Sequence, residues 1–142
     1  FGDPETQALI PRLRSDLLEI LLAAATGGDL PEAAEWTPGA CVGVVMASRG
    51  YPASSSHGDV IAGLDAAATL AGVEVFHSGT GTEGGDVVTA GGRVLTVSAV
   101  SDSFVSARAL AYAGVDRISF DGAQHRTDIA RRAEDWERAA GA

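Results

Sequence analysis

The sequence has few residues of several types, and each scarcity excludes a class of protein. Lysine is absent, so the 10 basic residues are all arginine, and 19 acidic residues leave a net charge of −9. Because an acidic chain repels phosphate backbones, we expect no nucleic-acid partner. Cys41 is the only cysteine, which excludes an internal disulfide. No apolar run is long enough to span a bilayer, so we expect no membrane partner.

The residues that are present suit a small globular unit. The chain has 142 residues, of which 46% are hydrophobic, 20% are charged and 18 are glycine. That length is typical of one domain with a modest core. Short apolar runs separated by glycine favour strands joined by tight turns. Cys41 stands inside such a run, so we expect a small buried hydrophobe there and no reactive thiol.

Local patterns predict an α+β fold. Ser15 and Asp16 are typical of a helix start, and Gly27-Gly28 of its end. A second helix is predicted over 101–114, capped by Ser101 or Ser103, and a polar, partly helical segment over 124–140. Apolar and β-branched runs predict strands over 41–47, 59–64, 73–77, 86–89, 93–100 and 117–120.

These elements fall into two parts. Residues 1–35 resemble a helical remnant with a linker, and residues 36–142 a small mostly-β unit with one helix. The helix beginning at Asp16 is apolar around much of its circumference, so we expect it to be well buried against further protein. Ala90-Gly91-Gly92 predicts a hairpin between the strands on either side. Long crossover helices are missing, so parallel βαβ winding is not expected.

Three patterns that could carry chemistry favour plainer interpretations. Gly79, Gly81 and Gly84 match G-x-G-x-x-G, but a strand follows them, which indicates a hairpin loop and no dinucleotide site. His57, His77 and His125 are scattered, so no metal site is predicted. The segment 54–57 (Ser-Ser-Ser-His) lacks a nucleophile elbow and is typical of a mobile Ser-rich loop.

The N-terminal segment Phe-Gly-Asp-Pro-Glu-Thr-Gln is the strongest candidate site. It predicts a tight turn in which Gly2 and Pro4 restrict the backbone while Asp3 and Glu5 project two carboxylates. Such a turn can hold a cation, an amine or a sugar hydroxyl. The alternative is a capping turn that leads into a helix, and the residues alone leave both interpretations open.

This segment closely resembles the signature of phosphoribosylamine–glycine ligases. Further segments resemble that family in order along nearly the whole chain: 12–18, 44–48, 50–52, 58–61 with Gly63, 76–80, 88–89, 91–95, Arg126, 128–129 and 132–133. Two positions depart from the family pattern. Ala53 and Ala130 stand where the family usually has glycine, which affects local loop shape.

The resemblance implies a cytoplasmic ATP-grasp ligase that joins phosphoribosylamine to glycine with ATP and magnesium. It implies an active-site turn formed by Gly2, Asp3, Pro4 and Glu5, in which the carboxylates of Asp3 and Glu5 orient the substrate amine or ribose, or support the metal ligands from behind. Arg49 and the Gly50-Tyr51-Pro52 turn are a weaker expectation for substrate contacts, and for Arg49 a solvated charge at a strand end is the open alternative. We expect the last helix of an ATP-grasp body, followed by a barrel-like domain that closes one wall of the active site.

The family's magnesium-binding Glu and Asn precede the signature, and the chain starts at Phe1. We therefore expect a C-terminal piece whose metal and nucleotide ligands lie largely outside it. Such a piece should be inactive alone, and its partners should be the remaining domains of the ligase. The alternative is a non-catalytic structural or interaction domain that shares this ancestry.

Overall fold

The computed structural model describes residues 2–141, in which helices lie at both ends and most of the strands follow one another in the middle. The helices are α1 (Glu5–Leu9), α2 (Leu17–Thr26), α3 (Leu64–Ala68), α4 (Phe104–Val115) and α5 (Arg131–Ala140), with a 3-10 turn at Ile10–Arg12. The strands are β1 (Ala40–Ala47), β2 (Val73–His77), β3 (Thr80–Glu83), β4 (Asp86–Thr89) and β5 (Arg93–Ser101). The mixed helix-and-sheet class is confirmed. The partly helical segment predicted over 124–140 is confirmed by α5. The expectation of one helix in the unit before it is wrong, because α3 lies there as well as α4.

β5 is the centre of the larger sheet. It pairs antiparallel with β1 on one side and with β2 on the other, while β3 and β4 form a separate antiparallel pair. All the strand pairs within residues 2–141 are antiparallel, which agrees with the sequence. None of the helices described there has the length and hydrophobicity needed to cross a membrane.

The core lies between this sheet and α4. Val44 of β1 pairs with Val97 of β5, and both are fully buried. α4 presents Ala107, Ala111 and Gly114 to the sheet, and all three are buried. A Cβ added to Gly114 would lie 2.8 Å from the Val97 side chain. Small residues therefore let the helix approach the sheet closely, and any larger residue at this glycine would separate them.

The opposite face of the sheet receives the N-terminal residues. A Cβ added to Gly43 would meet the Ser98 and Thr96 side chains at 3.2 and 3.4 Å, and the Ala8 methyl group at 4.0 Å. Side chains alternate between faces along a strand, so Gly43 lies on the face away from α4. α1 thus packs on the side of the sheet that carries the candidate site.

The hairpin predicted at 90–92 is wrong. β4 pairs with β3, and the two are joined by Gly84 and Gly85 with φ of +60° and +97°. Two successive positive φ values match the two-residue turn whose twist suits a hairpin, which explains why the reversal occurs here. The predicted hairpin loop in the G-x-G-x-x-G segment is thereby confirmed at its C-terminal end, although Thr80–Glu83 is itself a strand.

The strands predicted over 59–64 and 117–120 are not formed, and only isolated β-bridges occur there. Val60 bridges Val88, and Ala62 bridges Ser119. Gly63 has φ +86°, and a Cβ there would collide with the Arg117 carbonyl, so the extended segment ends where α3 begins.

Backbone hydrogen bonds, together with the chain between Ser119 and Gln124, nevertheless connect these segments in a ring. They lead from β1 to β5, then through Ser78 N to Val94 O (3.0 Å) toward the β3–β4 pair. From β4 they pass to residues 59–62, to Ser119, and finally from Gln124 back to Ala47 of β1 at 2.8 and 3.0 Å.

α2 begins and ends as predicted but is not buried. The Asp16 carboxylate accepts hydrogen bonds from Leu18 N (2.8 Å) and Glu19 N (3.1 Å), and Gly27 closes the helix with φ +71°. Leu18, Leu21 and Leu22 are 74%, 57% and 59% exposed. The expected burial is therefore absent within residues 2–141, because no other described element covers this helix.

Candidate functional site

The turn at Gly2–Glu5 leads directly into α1. Thr6 N donates a hydrogen bond to Gly2 O (3.2 Å), and Glu5 is the first residue of the helix. Asp3 and Glu5 are exposed, and Pro4 is half-buried. The Glu5 carboxylate folds back over Gly2, since a Cβ there would lie 2.5 Å from Glu5 Oε2. Gly2 therefore leaves room for the carboxylate beside the backbone.

Arg93 holds this turn from the sheet. Its Nη2 lies 3.0 Å from Asp3 Oδ2, and its Nη1 donates to the Asp3 carbonyl oxygen at 3.2 Å. Arg93 is the first residue of β5, and it is followed by the fully buried Val94 and Leu95. One guanidinium thus joins the first turn of the described chain to the central strand.

A groove of about 340 Å³ opens beside this contact. Its walls come from β1, the loop after β1, the start of β5 and the loop before α5, through residues Val45, Ala47, Tyr51, Arg93, Gln124, His125 and Arg126. Gln124 holds the two loops together because its Nε2 donates to the carbonyl oxygens of Ser48 and Tyr51, both at 3.0 Å. The surface of the groove is largely apolar, and we call its two lining guanidinium groups, those of Arg93 and Arg126, the cationic rim.

Arg49 does not join this group. Its Nη2 lies 2.6 Å from Asp121 Oδ2 in an exposed ion pair, and it is not among the residues that line the groove. Its neighbour in the same loop, Tyr51, does line the groove. The structure thus brings Gly2, Asp3, Pro4 and Glu5 together and places Arg49 apart, paired with another carboxylate.

The cationic rim is partly neutralised by acids. Arg126 forms a bidentate pair with Asp128, with Nε to Oδ1 at 2.8 Å and Nη2 to Oδ2 at 2.6 Å. These hydrogen bonds lower the pKa of Asp128 and raise that of Arg126, so both stay charged near neutral pH. The rim offers Arg126 as a cation already matched by its own counter-ion.

Other groups capable of chemistry lie apart. His57 contacts Ser55 Oγ, and His77 contacts Thr80 Oγ1, each at 3.0 Å, whereas His125 lies at the groove. Within residues 2–141 there is no group of three or more His, Cys, Asp or Glu residues that could hold a metal ion. Cys41 is half-buried rather than buried, and this burial raises the pKa of its thiol, with the Arg12 guanidinium opposing the shift.

Comparison with protein families decides the chain's relationship. The family model described as "Phosphoribosylglycinamide synthetase, C domain" matches residues 41–132. The chain belongs to this C-domain family. All of the groove residues of this C domain lie within the matched range, and the Gly2–Glu5 turn lies before it.

Curated relatives extend the similarity toward both ends of the C-domain chain. A phosphoribosylamine–glycine ligase from Neisseria meningitidis serogroup A is 50% identical over 134 residues, covering 94% of this chain and 31% of the relative. One from Streptomyces coelicolor is 50% identical over 137 residues, with 94% and 33% covered. The crystal structure of the phosphoribosylamine–glycine ligase from Thermotoga maritima has a TM-score of 0.74 at 31% identity, over 90% of this chain and 31% of that one. The chain spans about a third of the length of these proteins.

Sequence reasoning about the C domain missed Arg93 as a site residue, together with Gln124, His125 and Arg126. Arg93 and Arg126 do stand inside segments that resemble the ligase family, and that was the available signal. Arg93 contacts Asp3 across 90 positions of sequence. Only the antiparallel pairing of β5 with β1, and the packing of α1 on the same sheet, bring the two residues together.

Proposed function

We propose that this C domain is the C-terminal portion of an ATP-grasp ligase acting in de novo purine biosynthesis. The ligase joins phosphoribosylamine to glycine and releases glycinamide ribonucleotide, ADP and phosphate. The names of the relatives from Neisseria and Streptomyces support this. The structural observation that carries it is the contact of Arg93 with the Gly2–Glu5 turn beside a groove.

The reaction needs groups that position an amine. ATP phosphorylates the carboxylate of glycine, and the phosphoribosylamine nitrogen then attacks the acyl phosphate, so that a C–N bond forms while phosphate leaves and the nitrogen loses a proton. Asp3 and Glu5 can accept hydrogen bonds from an amine or from ribose hydroxyls. Two carboxylates held on a fixed turn orient such donors before the chemical step.

Magnesium does not fit the residues of this chain. Coordination by oxygen ligands requires several carboxylates or carbonyl groups converging on one point. No such cluster of acidic side chains occurs among residues 2–141. We therefore assign both the magnesium ligands and the ATP site to the rest of the ligase, and no step in this chain depends on the metal.

The division of the chain follows from the same proposal. Residues 1–35 complete the ATP-grasp body, and residues 36–142 form a barrel-like domain that closes one wall of the active site. The ring of backbone hydrogen bonds supports the second part, and the exposed leucines of α2 support packing of the first part against the remaining domains. We also assign the ligase to the cytoplasm, where purine biosynthesis supplies its substrates.

A second candidate function is a non-catalytic interaction domain. The exposed apolar side chains of α2 favour it, since an unpartnered apolar helix face is typical of a protein contact. The two candidates differ in what the Gly2–Glu5 turn does. In the ligase its carboxylates contribute to turnover, and in the interaction domain they only lead into α1.

The test replaces each carboxylate by its amide in the complete ligase. For Asp3→Asn and Glu5→Gln we expect turnover to fall at least roughly a hundredfold, or about 2.7 kcal/mol in the activation barrier, because a positioned charge is lost while shape is kept. Glycine-dependent ADP release gives turnover, and thermal unfolding gives stability, which should change by no more than about 1 kcal/mol.

The matched control is Asp65→Asn. Asp65 is an exposed carboxylate in the first turn of α3, which like α1 has five residues. Its replacement should leave turnover unchanged. Near-normal turnover in both Asp3→Asn and Glu5→Gln would reject the catalytic assignment and favour the interaction domain.

A further inference from the structure

Arg93 projects from the first position of the central strand. Its carbonyl oxygen accepts a hydrogen bond from Gly79 N (2.9 Å), and its residue pairs with Ala47 of β1. Val94 and Leu95, which follow it, are 0% exposed. The backbone at Arg93 therefore cannot shift without disturbing the core, so its guanidinium is presented from a fixed base.

The guanidinium makes two bonds to one residue. Nη2 contacts the Asp3 carboxylate at 3.0 Å and Nη1 donates to the Asp3 carbonyl oxygen at 3.2 Å. The planar fork of arginine suits such a double contact, which fixes both the side chain and the backbone of its partner. A single point charge could hold the carboxylate but would not fix the peptide unit.

The two acidic residues of the turn consequently differ. The Asp3 carboxylate is matched by Arg93. The Glu5 carboxylate makes no ion pair or hydrogen bond with any residue of the range 2–141, and it is exposed. Of the two, Glu5 is the group whose acceptor oxygens remain open to a ligand.

We propose that Arg93 is a positioning residue that fixes the Gly2–Glu5 turn through Asp3, so that Glu5 is the carboxylate that faces the substrates. The proposal rests on the proposed ligase function. It narrows the role of Asp3 within that function: Asp3 is engaged by Arg93 and holds the shape of the turn, so the contact with the substrates is assigned to Glu5 alone. Displacing a positioned group by about 1 Å can cost about a hundredfold in rate.

Kinetics of the complete ligase test the positioning. Arg93→Met should lower kcat about a hundredfold, with less than about a twofold change in the KM for ATP, whose site lies elsewhere. Arg93→Lys should recover about tenfold, because one charged contact to Asp3 is restored. The double variant Arg93→Met with Asp3→Asn should lose no more than about threefold beyond Arg93→Met alone, because both changes break one contact.

A readout apart from activity completes the test. Hydrogen–deuterium exchange of the segment 2–9 should be faster in Arg93→Met than in the unchanged ligase, since the turn is released from the sheet. The control is Arg138→Met, which removes a similarly exposed arginine paired with Glu134 at 2.7 Å on α5. This variant should leave both the exchange of the segment and kcat unchanged.

Each contrary outcome has a distinct meaning. Unchanged exchange in Arg93→Met, or fully additive losses in the double variant, would overturn the positioning role. Faster exchange with normal kcat would also overturn it, and would show that the turn lies outside the active site. If the complete ligase without any substitution shows no glycine-dependent ADP release, the proposed function itself is wrong.

Discussion

Two buried serines show how a single hydrogen bond decides whether a buried hydroxyl group stabilises or destabilises the fold. Ser48 and Ser98 are both 0% exposed. Ser48 Oγ donates to the Gly91 carbonyl oxygen at 2.9 Å, whereas Ser98 Oγ has no hydrogen-bond partner among residues 2–141. A buried hydroxyl that lacks a partner has lost its hydration without compensation.

We predict opposite effects for the two alanine substitutions. Ser98→Ala should leave stability unchanged or raise it by up to about 1 kcal/mol, because an uncompensated polar group is removed. Ser48→Ala should cost about 1–2 kcal/mol, because the Gly91 carbonyl loses its donor. Urea unfolding of the 142-residue chain measures both. Equal destabilisation by the two changes would contradict the assignment of the unpaired hydroxyl.

Residues that act locally were predictable from sequence, and those that act at long range were not. Asp16 and Ser103 were predicted to cap helices, and each accepts the expected backbone hydrogen bonds within three positions. Arg93 was not predicted as a site residue, because its partner Asp3 is 90 positions away. A capping pattern lies within one turn, whereas this contact depends on sheet pairing and on the packing of α1.

At the scale of elements, α5 is fastened to α4 by two acidic side chains. Glu137 accepts hydrogen bonds from Phe104 N (3.1 Å) and Val105 N (3.0 Å). These two N–H groups lie in the first turn of α4, where they have no acceptor within the helix itself. Glu134 pairs with Arg108 at 3.3 Å and with Arg138 at 2.7 Å. The polar C-terminal helix is thus held by charge rather than by apolar burial.

Acid should loosen this attachment. The hydrogen bond from Arg138, followed by the charges of the neighbouring arginines, lowers the pKa of Glu134 below its ordinary value of 4.5. A lowered pKa in the folded state contributes stability that is present above the unfolded value and is lost as the pH falls through the folded value. In Glu134→Gln we therefore expect a lower free energy of unfolding at pH 7, and the difference from the chain without the substitution should shrink as the pH falls below 4.5.

Urea midpoints measured between pH 7 and pH 3 test this expectation. Glu83→Gln is the control, since Glu83 is exposed beside the β3–β4 turn and forms no ion pair within residues 2–141. It should give a difference near zero at every pH. A Glu134→Gln difference that stays constant down to pH 3 would show that the carboxylate's charge does not hold α5.

Element types were largely predictable, and strand partners were not. Apolar runs predicted β1, β2, β4 and β5 within a few residues of their observed bounds. Hairpins were predicted at two glycine-containing segments, one at 79–84 and one at 90–92, and only the first contains a reversal between paired strands. The reversal occurs at Gly84 and Gly85, which adopt positive φ. Glycine pairs alone do not reveal which of them will take that conformation, since partner strands and core packing decide it.

At the scale of the whole molecule, the central sheet is covered by a helix, whereas α2 is exposed. The face of β1 and β5 that packs against α4 contains fully buried residues such as Val44, Leu95 and Val97. In contrast, α2 has no buried residue among those described. The sequence predicted an apolar helix, and the chain covers about a third of its relatives' length. Under the proposed function, the remaining domains of the ligase cover this helix.

The leucines of α2 should therefore respond differently in the isolated chain and in the complete ligase. Leu18 and Leu22 are four positions apart on one helix face and are 74% and 59% exposed. In the 142-residue chain, Leu18→Ala with Leu22→Ala should change stability by less than about 0.5 kcal/mol, as for other exposed positions. In the complete ligase, burial of both against the remaining domains should make the same change cost about 2–5 kcal/mol per leucine.

Leu95→Ala supplies the control, because Leu95 is 0% exposed in the core of this chain and should be costly in both settings. Urea unfolding measures the isolated chain, and loss of glycine-dependent ADP release on heating measures the complete ligase. If α2 contacts the rest of the ligase, the double leucine variant should unfold at nearly the same urea concentration as the isolated chain without the substitutions. In the complete ligase the same variant should lose activity at a clearly lower temperature. A small effect in both settings would show that α2 stays exposed in the complete protein, and its leucines would then need another explanation than packing between domains.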